Sequence, residues 1–205
     1  MGGDPDAPHH RRKMPVLRTK RLVLRSWRDT DREPFAALNA DPEVMQHFPN
    51  VLSRAESDTV VDLIETDFRQ NGYGLWALEE CSSGEFVGFT GLSGQRFTAP
   101  FTPAVEVGWR LRRASWGQGY ATEAARAALA YGFDTLGLPE IVSFTTISNV
   151  RSQAVMRRLG MTHHDTDDFD HPSLPPGHPL RRHVLFRLPR PIWLSKQRES
   201  PRDVG

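Results

Sequence analysis

Two glycines separated by a single residue stand in the run Trp116-Gly117-Gln118-Gly119-Tyr120-Ala121-Thr122-Glu123-Ala124. Before them, residues 104–111 alternate, with Val105, Val107, Trp109 and Leu111 on one face at a period of two, which predicts a strand. After them, the Ala-rich stretch 121–131 predicts a helix, stopped by Gly137 and Pro139. A glycine turn that feeds a helix N-terminus aims unpaired backbone N–H groups and the positive end of the helix dipole at one point. Such a point suits a phosphate or pyrophosphate.

Several phosphate ligands compete for that turn. A Walker loop needs a lysine at the helix start, and none is there. A dinucleotide fingerprint needs a third glycine where Thr122 stands. A tight turn that binds nothing is as common as any of these. A second motif follows downstream. The β-branched strand 141–147 runs into Ser148-Asn149-Val150-Arg151-Ser152. Ser148 or Asn149 can cap a short helix whose apolar stripe is Val155, Met156 and Leu159 and whose end is Gly160.

Together these residues resemble the GNAT acetyltransferase superfamily, in particular the branch containing ribosomal-protein N-terminal acetyltransferases. The strand 105–111, the turn 116–121 and its helix match the acyl-CoA motif, and Asn149-x-x-Ser152 with Leu159-Gly160-Met161 matches the next one. The opening Leu17-Arg18-Thr19-Lys20-Arg21-Leu22-Val23-Leu24-Arg25 and Asp41-Pro42-Glu43-Val44-Met45 are similar to that branch as well, so the resemblance covers residues 17–188. It departs from the family pattern at Ala114, where Gln or Arg is usual, at Trp116, which replaces Arg, and in lacking a Tyr in the helix after Asn149.

The resemblance implies an α/β (α+β) fold: a mixed, mostly antiparallel central sheet of six to seven strands flanked by helices and splayed at the acyl-CoA site. It implies acetyl-CoA as acyl-donor cosubstrate and no metal. The cofactor is expected against Trp109, Leu111, Trp116, Gly117, Gln118, Gly119, Tyr120, Ala121, Thr122, Asn149 and Ser152, with Asn149 on the pantetheine arm. The partner is an amine, either a protein N-terminus or a small molecule, attacking the thioester directly. A non-catalytic acyl-CoA-binding regulatory module is the alternative.

Amine acetylation needs a neutral nucleophile. Deprotonating a free Lys or an α-amine at pH 7 costs roughly 4.6 or 1.4 kcal/mol. Glu106 stands where the superfamily often places its base, and half-burial there would raise its pKa. The competing reading is a solvated strand residue. A backbone N–H near residues 109–111 is the oxyanion donor. Ser152 is the first candidate for protonating the leaving thiolate through water, unless it only satisfies first-turn amides, and Tyr120 is a second.

Length and composition set the remaining bounds. The 205 residues form one domain, expected over 16–190, between a disordered N-terminal segment 1–15 and a C-terminal tail 191–205. A net charge of +1 argues against nucleic acid as a partner. No apolar run reaches membrane-spanning length and no signal peptide opens the chain, so a soluble, cytoplasmic protein is expected, with a homodimer left open. Cys81 is the single cysteine and excludes a disulfide framework.

Helices are expected after the capping boxes Thr30-x-x-Glu33 and Ser53-x-x-Glu56, the second ending at Asn71-Gly72. Strands are expected at Leu22 and Leu24, at 73–79 and 86–92 around the turn 81–84, and at 161–164 and 182–188. Trp27, Trp76 and Trp109 read as core. The His- and Asp-rich segment 163–183 has no zinc spacing. Its loop 165–182 reads as a wall over the acceptor, with Asp168 as a secondary base and His171 or His183 as a substrate contact.

Overall fold

Alternation puts Val107 and Leu111 in the core and turns Glu106 and Arg110 to the opposite face, and this defines the central strand β5 (Val105–Leu111). The computed structural model describes residues 14–199. The other strands are β1 (Leu17–Arg18), β2 (Leu22–Arg25), β3 (Leu75–Glu80), β4 (Phe86–Gly94), β6 (Glu140–Thr146), β7 (Thr162–His163), β8 (Phe169–Asp170) and β9 (Arg182–Pro189). They form one sheet in the order β1-β2-β3-β4-β5-β6-β9-β7, with β8 also on β9. Every pair is antiparallel except β5 with β6.

That parallel pair is registered only at Glu106↔Val142. Past it, β5 keeps β4 as its partner to Leu111, and β6 keeps β9 to Thr146. The sheet therefore opens just beyond Glu106, which is the expected splay. Helices cover both faces. On one lie α3 (Tyr120–Ala130), α4 (Val150–Arg158) and α5 (Arg190–Glu199); Ala124, Ala125 and Ala128 are fully buried, and their small side chains let α3 sit close to the sheet. On the other, α1 (Arg32–Ala40) and α2 (Arg54–Asn71) pack Phe35, Leu38, Val61 and Ile64 against Trp27, Phe86 and Phe89. Farther along that second face, Val142, Phe169 and Leu185 gather Phe97, Phe101 and Phe144. The gap between these two apolar clusters exposes the Glu106 and Arg110 side of β5.

The fold class agrees with expectation, and among the described residues the sheet has nine strands where six to seven were expected. The additional pieces, β1 and β8, are two residues each, too short to show a period. Ser53 and Glu56 form their capping box and Gly72 closes α2 at φ 75°. The box expected at Thr30 and Glu33 does not form: a 3-10 turn at Asp29–Asp31 precedes α1, and the Asp31 carboxylate accepts the Arg28 N–H at 2.8 Å.

The segment expected as a tail from 191 is instead α5 as far as 199. Trp193 is buried, stacks on Phe133 at 5.4 Å and donates to Asp134 Oδ1 at 3.3 Å. Burial of one such ring contributes about 1.5–3 kcal/mol, enough to order a short helix onto the domain. Of the segment expected to be disordered, Met14 packs on the core and the Pro15 carbonyl accepts the Trp76 indole N–H at 2.8 Å; residues 1–13 and 200–205 lie outside the described residues. Among the described residues no helix is long and apolar enough to cross a membrane.

Candidate active site

The turn after β5 takes its shape from two left-handed glycines, Gly117 at φ 75° and Gly119 at φ 79°. Side chains with a Cβ rarely adopt that conformation. Gly119 caps α3 with no side-chain hydrogen bond, and the amides of residues 117–122 meet no acceptor among the described residues. A Cβ at Gly117 would meet nothing within 4 Å. The turn thus presents a cluster of free donors to open space.

The turn is pinned from a distant strand connection. Arg21 donates from Nη1 to the Gln118 carbonyl at 2.8 Å and from Nε to Glu123 Oε2 at 2.7 Å, while Thr19 Oγ1 donates to Glu123 Oε1 at 2.6 Å. Ion pairing with Glu123 leaves Arg21 beside the free amides. A second cation stands across the turn, where the Arg151 guanidinium lies 4.7 Å over the Trp116 ring. The family-type arginine missing at 116 is therefore matched by an arginine from α4 that uses Trp116 as a platform.

A cleft of about 1940 Å³ runs from this turn through the open sheet to the far face of β5. A typical small-molecule pocket measures roughly 300–1,000 Å³, so two substrates have room. Trp109, Leu111, Trp116, Gly117, Gly119, Tyr120, Ala121, Thr122, Asn149 and Ser152 all line it. Gln118 does not: its side chain folds back to the Ala114 carbonyl at 3.2 Å. Trp109, read as core, packs on the core and also borders the cleft.

Two expected roles change. Asn149 spends both amide protons inside the protein, on Thr145 Oγ1 at 2.9 Å and Ser152 Oγ at 3.1 Å, and its Oδ1 caps the Ser152 amide at 3.2 Å. Only a lone pair of Oδ1 is left for a pantetheine arm. Ser152 accepts through Oγ and keeps its own proton for the cleft. The Tyr120 hydroxyl donates to Glu80, and that bond raises its pKa further. As an acid for the cleft it is unsuited.

Glu106 lies at the foot of the opening. Gln95 Nε2 donates to its Oε2 at 2.9 Å, and the Phe144 backbone also favours its charge. Burial outweighs both and pushes the carboxyl up to about 8. Phe144, His171 and His183 border the same cleft; Phe97 backs His171 at 4.6 Å, and His171 stands 5.1 Å from His183, ring centre to ring centre. Burial holds both imidazoles below their ordinary pKa, so they are neutral near pH 7. His171, Ser173, Leu174 and Leu180 bring the 165–182 loop to the cleft as a wall. Asp168, the secondary base, instead meets His163 Nε2 at 2.7 Å and does not border the cleft. No group of three or more His, Cys, Asp or Glu side chains among the described residues is placed to hold a metal.

Sequence reasoning gave no role to Arg21, Glu123, Arg151 or Arg110. The Arg21–Glu123 contact joins residues 102 apart, and only the quoted Thr19-x-Arg21 opening hinted at it. Replacement of Gly119 by Ala should weaken acetyl-CoA binding about tenfold, the worth of one hydrogen bond to a charged group. Calorimetric titration would show this, and an unchanged affinity would remove the turn from the binding site.

The family described as "Acetyltransferase (GNAT) domain" matches residues 21–162. The chain is 34% identical over 193 residues to the FsC-acetyl coenzyme A-N(2)-transacetylase of Aspergillus fumigatus, covering 91% of this chain and 81% of that one. An acetyltransferase structure from Agrobacterium tumefaciens superposes with a TM-score of 0.69 at 28% identity, covering 86% of this chain and 95% of that one. RimL, the ribosomal L7/L12 alpha-N-protein acetyltransferase in complex with coenzyme A, shares the fold with a TM-score of 0.65 at 20% identity, covering 86% of this chain and 97% of that one. The chain belongs to the GNAT family and is an N-acetyltransferase that uses acetyl-CoA.

Proposed function

We propose that the protein moves the acetyl group of acetyl-CoA directly to a primary amine that enters from the Glu106 face of the sheet. The observation that carries this reading is the single cleft joining the free amides of residues 117–122 to a carboxyl buried in an aromatic pocket. Acetyl-CoA supplies an activated thioester; its phosphates suit the turn amides together with Arg21 and Arg151. Glu106 takes the proton of the incoming amine, directly or through water. A carboxyl near 8 is closer to an amine in basicity than an ordinary one, so the transfer is less uphill. The Ser152 hydroxyl, with its proton free, hydrogen-bonds the departing sulfur and relays a proton from water, taking one up as it gives its own, so that no alkoxide is left behind. A nitrogen acceptor is supported by the name of the Aspergillus relative.

No covalent enzyme intermediate is needed. Cys81 is exposed in the β3–β4 turn and does not border the main cleft. Direct attack predicts initial-rate lines that intersect when amine and acetyl-CoA are both varied. It also predicts an unchanged protein mass after incubation with acetyl-CoA alone. Parallel lines with an acetylated protein would replace this reading by a two-step one.

A further inference from the structure

Arg110 is the feature of the cleft that acetyl transfer does not use. It stands four residues beyond Glu106 on the same face of β5 and borders the same cleft. Nη1 donates to Asn39 Oδ1 at 2.6 Å, and buried Asn39 is itself held by donating from Nδ2 to Ser57 Oγ at 2.9 Å. The guanidinium lies 4.2 Å over the Phe48 ring and 5.4 Å from that of Phe89. No carboxylate pairs with it among the described residues, and its Nε is buried with no partner. The nearby acid Glu43 is bound to Arg113 at 2.8 Å. Arg21 at the cofactor turn, by contrast, has Glu123.

A buried cation is expensive unless it is paired. Here two helices hold the guanidinium in place, two rings shield it from water, and no counter-charge faces it among the described residues. The planar fork matches a carboxylate, and a lone positive charge between apolar walls balances one negative charge rather than two. The Cα atoms of Glu106 and Arg110 are about 13 Å apart, four residues at roughly 3.3 Å each.

We infer that Arg110 is the recognition group for a carboxylate carried by the acceptor, so that the second substrate is an amino acid derivative or peptide whose amine and carboxylate are separated by several bonds. Such a molecule places its amine at Glu106 and its carboxylate on the free edge of the guanidinium. With both side chains standing off one face of the strand, the longer members of such a series should span the two groups best. The inference rests on the proposed function only in taking the second substrate to be an amine.

The test uses the protein saturated with CoA and a ladder of ω-amino acids and short glycine peptides, each paired with its carboxamide. Calorimetry measures binding, and CoA release from acetyl-CoA measures turnover. The acid should bind at least tenfold more tightly than its amide, with the ratio rising with length to a maximum. In Arg110→Met, which keeps the bulk between the two rings, the ratio should fall to within twofold of one; Arg110→Lys should recover part of it. Retained stabilisation by acetyl-CoA verifies that each variant is folded. Equal binding of acid and amide by the wild type, or an acid preference that survives Arg110→Met, overturns the inference. An acid preference in binding without any turnover supports Arg110 and counts against the proposed function instead.

Discussion

Glu106→Gln should lower turnover by about 10²–10⁴-fold, the usual worth of a positioned base. The pH profile separates this from damage to the fold. With a weakly basic acceptor that is already neutral at pH 7, the wild-type rate should climb to a plateau above about 8, as the buried carboxyl ionises. The variant has no such group and should be flat. Stability should move in the opposite sense. A carboxyl pushed up on folding holds its proton longer in the folded chain than in the unfolded one, so wild-type stability falls between the ordinary carboxylate range and about 8. Glutamine imitates the protonated form and can still accept from Gln95. The variant should therefore melt at or above the wild-type temperature at pH 8 while being nearly inactive. A fall in both rate and melting temperature would assign Glu106 to the fold rather than to proton transfer. Ser152→Ala should cost about tenfold, less than the base, because a thiolate with a parent pKa of about 8.5 leaves readily.

Asp31→Ala should destabilise the domain by about 3 kcal/mol, the lower part of the range for breaking a buried ion pair. Arg25 and Asp31 are both buried and meet through two parallel bonds, Nη1 to Oδ2 at 2.7 Å and Nη2 to Oδ1 at 2.9 Å. Arg25 Nε also reaches Glu79 Oε2 at 2.7 Å, so the variant keeps one counter-ion and avoids the full penalty. Asp31 additionally loses the Arg28 amide that it caps. In a domain of this size the melting temperature should drop by about 6–12 °C. The site feels the loss too, since α1 carries Asn39, which holds Arg110. A loss under about 1 kcal/mol would mean that water reaches the pair. The hydrogen bond from Arg25 holds Glu79 below the usual carboxylate range. Its contribution is present above that range and disappears as the pH falls through the depressed value.

Local patterns were the most legible parts of the chain. Gly117 and Gly119 betray their turn because few other residues tolerate positive φ, and Ser53-x-x-Glu56 betrays a helix start because its reciprocal bonds lie three residues apart. The alternation of 105–111 sets Glu106 on the face away from Val105 and Val107, and Glu106 borders the cleft. Contacts between distant residues were not legible. Nothing near Tyr120 announces Glu80, and nothing near Arg110 announces Asn39, 71 residues away.

Helix α5 is hard to read from the sequence for a different reason. Pro191 stops a strand, but in the first turn of a helix its missing N–H has no intrahelical partner to lose, so a helix can begin there. The Arg190 amide bonds the Pro139 carbonyl at 2.9 Å, and Trp193 does the rest by burying its ring. Thr30-x-x-Glu33 failed because Asp31 is drawn to Arg25 and caps the chain one turn earlier than the motif suggests.

The most direct test is to incubate the protein with acetyl-CoA and a panel of amines, and to follow CoA release together with the mass of each amine. Amine-dependent CoA release, with acetyl found on the nitrogen and the rate lost in Glu106→Gln, is the result expected of direct transfer. Tight binding of acetyl-CoA with no acetylated amine, and no difference between wild type and variant, would contradict it and leave a module that binds acyl-CoA without turning it over.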